Sequence, residues 1–397
     1  MFNRLVLLVL MLVISLSGCI EQTPSAIPPQ TLPVPTLTTI PIPTPTGLPT
    51  LTPTLSPAAT LDTSNTWWYN AVFYQIFVRS FYDSNADGIG DFNGITQKLD
   101  YLNDGDPTTT TDLGINAIWL MPIMDSPSEH GYNVRDFYAV NPQYGTMDDF
   151  KELLARAHER GMHVIIDFII HNTSVEHPWF IQSKDPSSPY RNWYIWSEVD
   201  PGWRGPWGQQ VWYPLNNDYI YAYFWEGSPN LNLTNPEVTA ELLKLTTFWL
   251  NDVGVDGFRL DAIGILIHEG STQTNTPATH RWLKDFHDYY KGLKSSAFTV
   301  GEIWDKNEVV IPYVQNGEID LAFNFDLAFA IIRGLNEANA SVIIEQVNKG
   351  RAMFPKGQYV MEFRHMRATA LIMLEDFDSC REECIRITES THDFETL

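Results

Sequence analysis

From Trp67 onward, short continuous apolar runs alternate with stretches of helical period. The runs "AVFYQIFV" (71–78), "INAIWLMPI" (115–123), "HVIIDFII" (163–170), "VDGFRLDA" (255–262), "AFTVGEIW" (297–304) and "IDLAFNF" (319–325) read as buried strands. Between them, "TMDDFKELLARAHERG" (146–161) reads as a helix, with Asp148 and Asp149 near its start and Gly161 closing it. "PEVTAELLKLTTFWLNDVG" (236–254) is another, with Pro236 early and Gly254 as the stop. Strand–helix alternation predicts an α/β fold with a parallel sheet. Several strands end in charged or polar residues, which is how a (β/α)8 TIM barrel builds its site. Residues 172–235 break the rhythm: they are rich in Trp, Tyr, Asn and Pro and predict a small irregular domain inserted after the third strand.

The chain has 397 residues, 44 % hydrophobic and 13 % aromatic, enough for the core of a large globular enzyme. A formal charge of −23, from 48 acidic and 25 basic residues, argues against nucleic acid and anionic membrane surfaces, and favours a neutral ligand or a cation. Thirteen Trp and seventeen Tyr suit stacking on sugar rings, although core packing accounts for many aromatics in any protein. Ahead of the barrel pattern, Arg4 precedes the apolar run Leu5 to Leu16, and "LSGC" ends at Cys19. Such a run is too short to span a bilayer comfortably and reads as a secretory signal, residues 1–19. Residues 20–66 are Pro/Thr-rich and read as an extended spacer, which predicts a domain held outside the cytoplasm. Cys380 and Cys384 are too close in sequence to imply a disulfide framework.

Two stretches carry candidate chemistry. In "FYDSNADGIGDFNGI", Asp83, Asn85, Asp87 and Asp91 place oxygens at alternating positions around Gly88. The spacing starts like a Ca²⁺-binding EF-hand loop, but Gly94 stands where the bidentate Glu is needed, so an EF-hand is excluded. A solvated Asx turn and a cation loop both fit this pattern. In the second, Asp261 ends one strand, Arg259 precedes it on the same face, and Glu302 ends the next strand. Two carboxylates on adjacent strand ends can flank one glycosidic bond as nucleophile and proton donor; they can equally be structural ion pairs.

Taken together, "GINAIWLMPI", "HGYNVRDFYAVNPQYGTMDDF", "DFIIHNTS", "GFRLDA" and "GEIW" resemble the α-amylase family of glycoside hydrolases, in its order and spacing, over about residues 67–360. The resemblance implies that Asp261 is the nucleophile, Glu302 the general acid/base and Arg259 the residue positioning the nucleophile. It implies that Tyr132 stacks on the sugar at the cleavage point and that Asp136 supports that wall, with Asp167, His171 and Asn172 in the substrate-binding region. "DSNADGIGD" is similar to the Ca²⁺ loop of the oligosaccharide-acting and trehalose-forming branches, where Asp83, Asn85, Asp87, the Ile89 carbonyl and Asp91 would hold a structural ion. The Cys19 context resembles a bacterial lipobox, implying a lipidated N-terminal Cys and a membrane-anchored lipoprotein. Ala262 resembles members acting on α-1,4 links. The implied protein is a monomeric α-glucan or maltooligosaccharide hydrolase, with a transglycosylase or trehalose-forming relative, or a catalytically impaired glucan-binding remnant, as the alternatives.

Three departures qualify this expectation. The family reads Asn-His where this chain reads His171-Asn172, so strand alternation predicts that Asn172, not His171, reaches the sugar. Asn230 stands where relatives often carry Asp. After "FPKGQYV" (354–360), residues 361–397 contain no Asn-His-Asp strand end, which predicts an atypical tail, a C-terminally incomplete barrel and weak turnover by the chain as written.

Overall fold

A computed structural model describes Leu61 and residues 64–337 and 339–353. Cys19, the signal and spacer segments (apart from Leu61 and the last residues of the spacer) and the stretch 361–397 lie outside the described residues. Numbered along the chain, the strands are β1 (Phe73–Ile76), β2 (Ala117–Leu120), β3 (Met124–Asp125), β4 (Asp136–Val140), β5 (His163–Phe168), β6 (Trp196–Ser197), β7 (Trp212–Leu215), β8 (Asp218–Tyr221), β9 (Gly257–Leu260), β10 (Phe298–Gly301) and β11 (Leu321–Ala322). Six of them form one parallel sheet in the order β1-β2-β5-β9-β10-β11. Every strand of that sheet falls within one of the six apolar runs. The sheet curls into a half-barrel, a partial (β/α)8 architecture in which sequential strands are neighbours.

The helices cover its outer face for local reasons. Met147–Glu159 starts at Thr146, whose hydroxyl accepts from the Asp149 N–H while the Asp149 carboxylate accepts from the Thr146 N–H, a reciprocal capping box. Asp148 and Asp149 in its first turn also face the positive end of the helix dipole. Its buried stripe, Phe150, Leu153, Leu154 and Ala157, joins the main core, each large side chain contributing roughly 1.5–3 kcal/mol of burial. Pro236–Thr247 begins with an Asn235 cap and Pro236 in the first turn, then passes into a π-helical segment, Phe248–Val253. That segment ends at Gly254, whose φ of +100° is left-handed and suits glycine.

Between β5 and that helix, the interval 172–235 folds on its own terms. It carries the helix Pro178–Ser183 and a three-stranded antiparallel sheet, β6-β8-β7. A second antiparallel pair, β3 with β4, projects from the β2 end and was not foreseen from the apolar pattern, because β3 is only two residues long.

At the N-terminal end of the parallel strands, Trp67 stacks on His163 with ring centroids 3.7 Å apart. Beside them Asp256 is buried; its Oδ2 accepts from His158 at 2.7 Å and from the Val164 N–H at 2.8 Å, and Lys294 lies 3.3 Å from Oδ1. Burial alone would raise the Asp256 pKa, but the His158 and His163 contacts and the Lys294 charge outweigh it and hold the carboxyl well below its usual range. A depressed carboxyl contributes stability that is present above the unfolded-state pKa, near 3.9, and is lost as pH falls below it. We predict that Asp256→Asn lowers the urea-unfolding free energy by about 3 kcal/mol at pH 7. The gap between variant and parent should narrow as pH falls below about 4; a gap that stays constant would remove the ionised carboxylate from the account.

Candidate functional site

Parallel register builds the site at the opposite ends of the strands. Asp167 of β5 pairs with Arg259 of β9, Asp261 follows β9, and Glu302 follows β10. The Arg259 guanidinium gathers all three acids. One amino nitrogen, Nη1, lies 2.6 Å from Asp167 Oδ1 and 2.6 Å from Asp261 Oδ1, and Nη2 lies 2.7 Å from Glu302 Oε2. The Asp261 and Glu302 carboxyls are within hydrogen-bonding reach of each other. Tyr132 donates its hydroxyl to Asp167 Oδ2 at 3.1 Å, which brings its ring to the same cluster. Ala262, directly after Asp261, adopts φ +45° and donates its N–H to Glu302 Oε2 at 3.3 Å. A left-handed alanine costs on the order of 1 kcal/mol, and here that conformation ties the end of β9 to Glu302.

Burial dominates the electrostatics. It raises the pKa of Asp167 to about 7, with Arg259 opposing and the neighbouring Asp261 and Glu302 charges adding to the rise. Asp261 and Glu302 are also raised by burial, again opposed by Arg259. Three acids around one guanidinium therefore hold a proton that three exposed carboxylates would have lost at neutral pH. His171 is fully buried, and burial followed by the Arg259 charge lowers its pKa to about 3, so its ring is neutral.

The placement of His171 and Asn172 reverses the expectation from strand alternation. His171 Nε2 stands 3.8 Å from Asp261 Oδ2, whereas Asn172 donates to the Tyr132 carbonyl at 3.2 Å and bridges to Asn230. Both lie beyond the end of β5, where period-2 alternation no longer applies. Asn230 is buried and its side-chain oxygen accepts from the Tyr223 N–H, so it shapes the inserted segment. Asp136 is not brought to the cluster: it is exposed at the start of β4 and caps the Tyr138 N–H at 2.8 Å.

The acidic loop after β1 forms a closed series of Asx contacts. Asp83 accepts from the Asn85, Ala86 and Gly88 amides, Asn85 from Asp87, and Asp87 from Ile89. Asp91 caps the helix Phe92–Gln97 through the Gly94 N–H and accepts from Ser84 with its other oxygen. The Gly88 amide and the other amide contacts keep Asp83 below the usual carboxylate range. The donor types, three carboxylates, one amide oxygen and one backbone carbonyl, fit a hard divalent cation. Among the described residues, no three His, Cys, Asp or Glu side chains are gathered as metal ligands.

Sequence reasoning assigned no role to several aromatics at this end of the sheet. Trp119 of β2 lies under the Arg259 guanidinium at 5.5 Å. Phe224 packs 5.6 Å from His171, and Trp207 and Trp304 meet at 5.9 Å. Trp304 was within reach, two positions past Glu302; Trp207 and Phe224 carried no local signal, because an irregular insert has no period to read.

The comparisons place this geometry. The alpha amylase catalytic domain model matches residues 75–390, a span that continues past position 361. Alpha-amylase 3 of Dictyoglomus thermophilum is 40% identical over 289 residues, 72% of this chain and 54% of that protein. The trehalose synthase/amylase TreS of Mycolicibacterium smegmatis is 42% identical over 339 residues, 80% of this chain and 55% of that protein. Among solved structures, the alpha-amylase from H. orenii superposes with a TM-score of 0.64 at 43% identity, covering 72% of this chain and 57% of that one. The chain belongs to the alpha-amylase catalytic domain family of glycoside hydrolases. It spans about half the length of the curated relatives described here.

The raised pKa of Asp167 carries a stability cost with a definite sign. Its folded value, about 7, exceeds the ordinary aspartate value near 3.9, so the folded state holds a proton the unfolded state releases, and stability falls as pH rises between these values. Asp167→Asn should therefore raise Tm by about 4 °C or more at pH 8 and by less at pH 5, in calorimetric scans. An equal shift at both pH values would show that the ionised Asp167 is not under strain.

Proposed function

We propose that this chain is a retaining α-glucan hydrolase acting on α-1,4 links of starch-derived oligosaccharides. The observation that carries the reading is the single guanidinium shared by Asp261 and Glu302, with their carboxyls in mutual reach. A retaining pair stands about 5 Å apart, whereas an inverting pair needs roughly 6.5–9.5 Å to admit a water between the two groups. In the first step an Asp261 oxygen attacks the anomeric carbon while Glu302 gives its proton to the departing glycosidic oxygen. In the second, Glu302 takes a proton from water, the hydroxide oxygen bonds to the same carbon, and Asp261 leaves as carboxylate. Burial raises both carboxyls and Arg259 opposes it at both; the Asp261 charge adds to the rise at Glu302 while the Glu302 contact lowers Asp261, which favours a protonated Glu302 beside an ionised Asp261. Tyr132, held by Asp167, supplies the aromatic wall.

The match to a trehalose synthase/amylase favours one second reading, in which a sugar hydroxyl replaces water in the second step. Product analysis separates them: maltose and glucose from maltoheptaose support hydrolysis, and a new non-reducing disaccharide supports transfer. We predict that Glu302→Gln lowers kcat on maltoheptaose by about 10²–10⁴-fold. Asp261→Asn should abolish the covalent adduct that mass spectrometry detects with a slow-turnover glycosyl fluoride. Turnover that survives both substitutions, or binding of maltoheptaose without any products from the parent chain, would overturn the enzymatic reading.

We also propose a structural Ca²⁺ held by Asp83, Asn85, Asp87, the Ile89 carbonyl and Asp91, on the strength of the donor set and the loop curled by Ala86 and Gly88 at positive φ. The ion would pin the loop that follows β1. Chelation should lower Tm, and Ca²⁺ at a hundredfold excess over its Kd should return about 2.7 kcal/mol of stability. Asp87→Ala should erase that response, and a parent Tm indifferent to chelator would remove the ion. The lipid tether at Cys19, and with it an extracytoplasmic location, rests on the leader sequence alone.

A further inference from the structure

Four described non-glycine residues have a positive φ, and two of them, Ala262 at +45° and Asn275 at +54°, bracket the loop that follows β9. Such a backbone is unfavourable for any residue with a Cβ, least so for asparagine, and persists only where the surroundings enforce it. At Asn275 three hydrogen bonds enforce it. Its N–H donates to the Gly264 carbonyl at 2.7 Å. Its side-chain oxygen accepts from the Tyr313 hydroxyl at 2.7 Å, and its side-chain nitrogen donates to Asp305 Oδ2 at 3.0 Å. The amide stands this way round because a carboxylate accepts and does not donate. Gly264 leaves no slack: a Cβ there would come within 3.0 Å of the Asn275 side-chain oxygen.

These bonds join three pieces of chain. Gly264 lies three residues past Asp261, Asp305 lies three residues past Glu302, and Tyr313 is buried in the helix Asn307–Gln315. The first two segments also meet at Glu302 itself. Its N–H donates to the Leu260 carbonyl at 3.0 Å, and its carbonyl accepts from the Ile263 N–H at 3.0 Å. Two bonds to one residue fix where its backbone lies but let the chain beyond pivot about the line joining them. The Asn275–Asp305 bond lies further along and stops that pivot. Asp305 passes the restraint back through its N–H, which donates to the Ile303 carbonyl at 3.0 Å. It passes it forward through Oδ1, which accepts from the Lys306 N–H at 2.8 Å where the helix begins. Such a restraint matters because misplacing a reacting group by about 1 Å costs roughly a hundredfold in rate.

We propose that Asn275 is a positioning residue: it clamps the segment after β9 to the segment after β10 and so fixes Glu302 against Asp261. The inference rests on the glycosidase reading above. Asn275 acts through Asp305 and Gly264, and asparagine suits the place because it combines tolerance of a left-handed backbone with a side-chain donor and a side-chain acceptor.

The test uses a bond that can be turned round. Asn275→Asp keeps the backbone preference but sets two carboxylates against each other; adding Asp305→Asn restores the bond with donor and acceptor exchanged. Each variant of the full chain is assayed on maltoheptaose, whose leaving sugar needs a proton from Glu302, and on α-maltosyl fluoride, whose fluoride needs one far less. The readout is the ratio of the two kcat/KM values, which does not depend on the fraction of each variant that folds. Asn275→Asp and Asn275→Gly should each lower the ratio about tenfold, and the double exchange should return it to within about twofold of the parent. An unchanged ratio in both single variants, or a double exchange no better than Asn275→Asp, overturns the clamp. If the parent chain turns over neither substrate, the glycosidase reading falls, and amide hydrogen exchange across residues 302–306 then decides the clamp alone. Exchange about tenfold faster in Asn275→Gly than in the parent sustains it, and equal exchange overturns it.

Discussion

One buried guanidinium organises this end of the molecule. Arg259 holds Asp167 at 2.6 Å, Asp261 at 2.6 Å and Glu302 at 2.7 Å, acids that reach it from three strands of the sheet. Desolvating that many charges is expensive, and one cation offsets it only when the geometry is tight. The parallel register of β5, β9 and β10 provides that geometry, and the left-handed Ala262 aims the segment after β9 back toward Glu302. Trp119 beneath the guanidinium limits where it can move. Remove the arginine and the three acids have no reason to share a site.

The two ends of the sheet then face opposite electrostatic demands. At the N-terminal ends, Asp256 is surrounded by donors and cations and is held ionised, so it stabilises the fold above its unfolded pKa. At the C-terminal ends, burial and mutual repulsion push the acids toward their protonated forms, so they weaken the fold as pH rises. The second arrangement suits the proposed chemistry, because a proton donor must keep its proton near neutral pH. Stability at one end of the strands thus offsets strain at the other.

The insert borders the Arg259 cluster without contributing a carboxylate to it. Asn172 bridges to Asn230, and Leu231 donates its N–H to the His171 carbonyl, so the segment is stitched to the strand end that carries His171. Beyond that seam Phe224 meets Trp207, and Trp207 meets Trp304. The strand ends supply the acids and the insert supplies apolar shape, a division seen wherever loops vary on a constant barrel.

Much of this was legible in the residue order. Continuous apolar runs mark strands buried on both faces, and capping residues mark helix ends, because both signals are local and short-ranged. The clustering of Asp261, Glu302 and Arg259 was legible because their motifs sit at strand ends, where the fold class assigns the site. Three features were not. His171 rather than Asn172 faces Asp261, because alternation ends with the strand and the seam to Asn230 decides the rotation. Asp136 lies outside the site because the β3–β4 pairing carries it to the surface. The meeting of Trp207 and Trp304 depends on how the insert docks. Residue order determined which groups could do the chemistry; tertiary structure decided which of them share a pocket, because contact between distant segments is set by packing and not by sequence spacing.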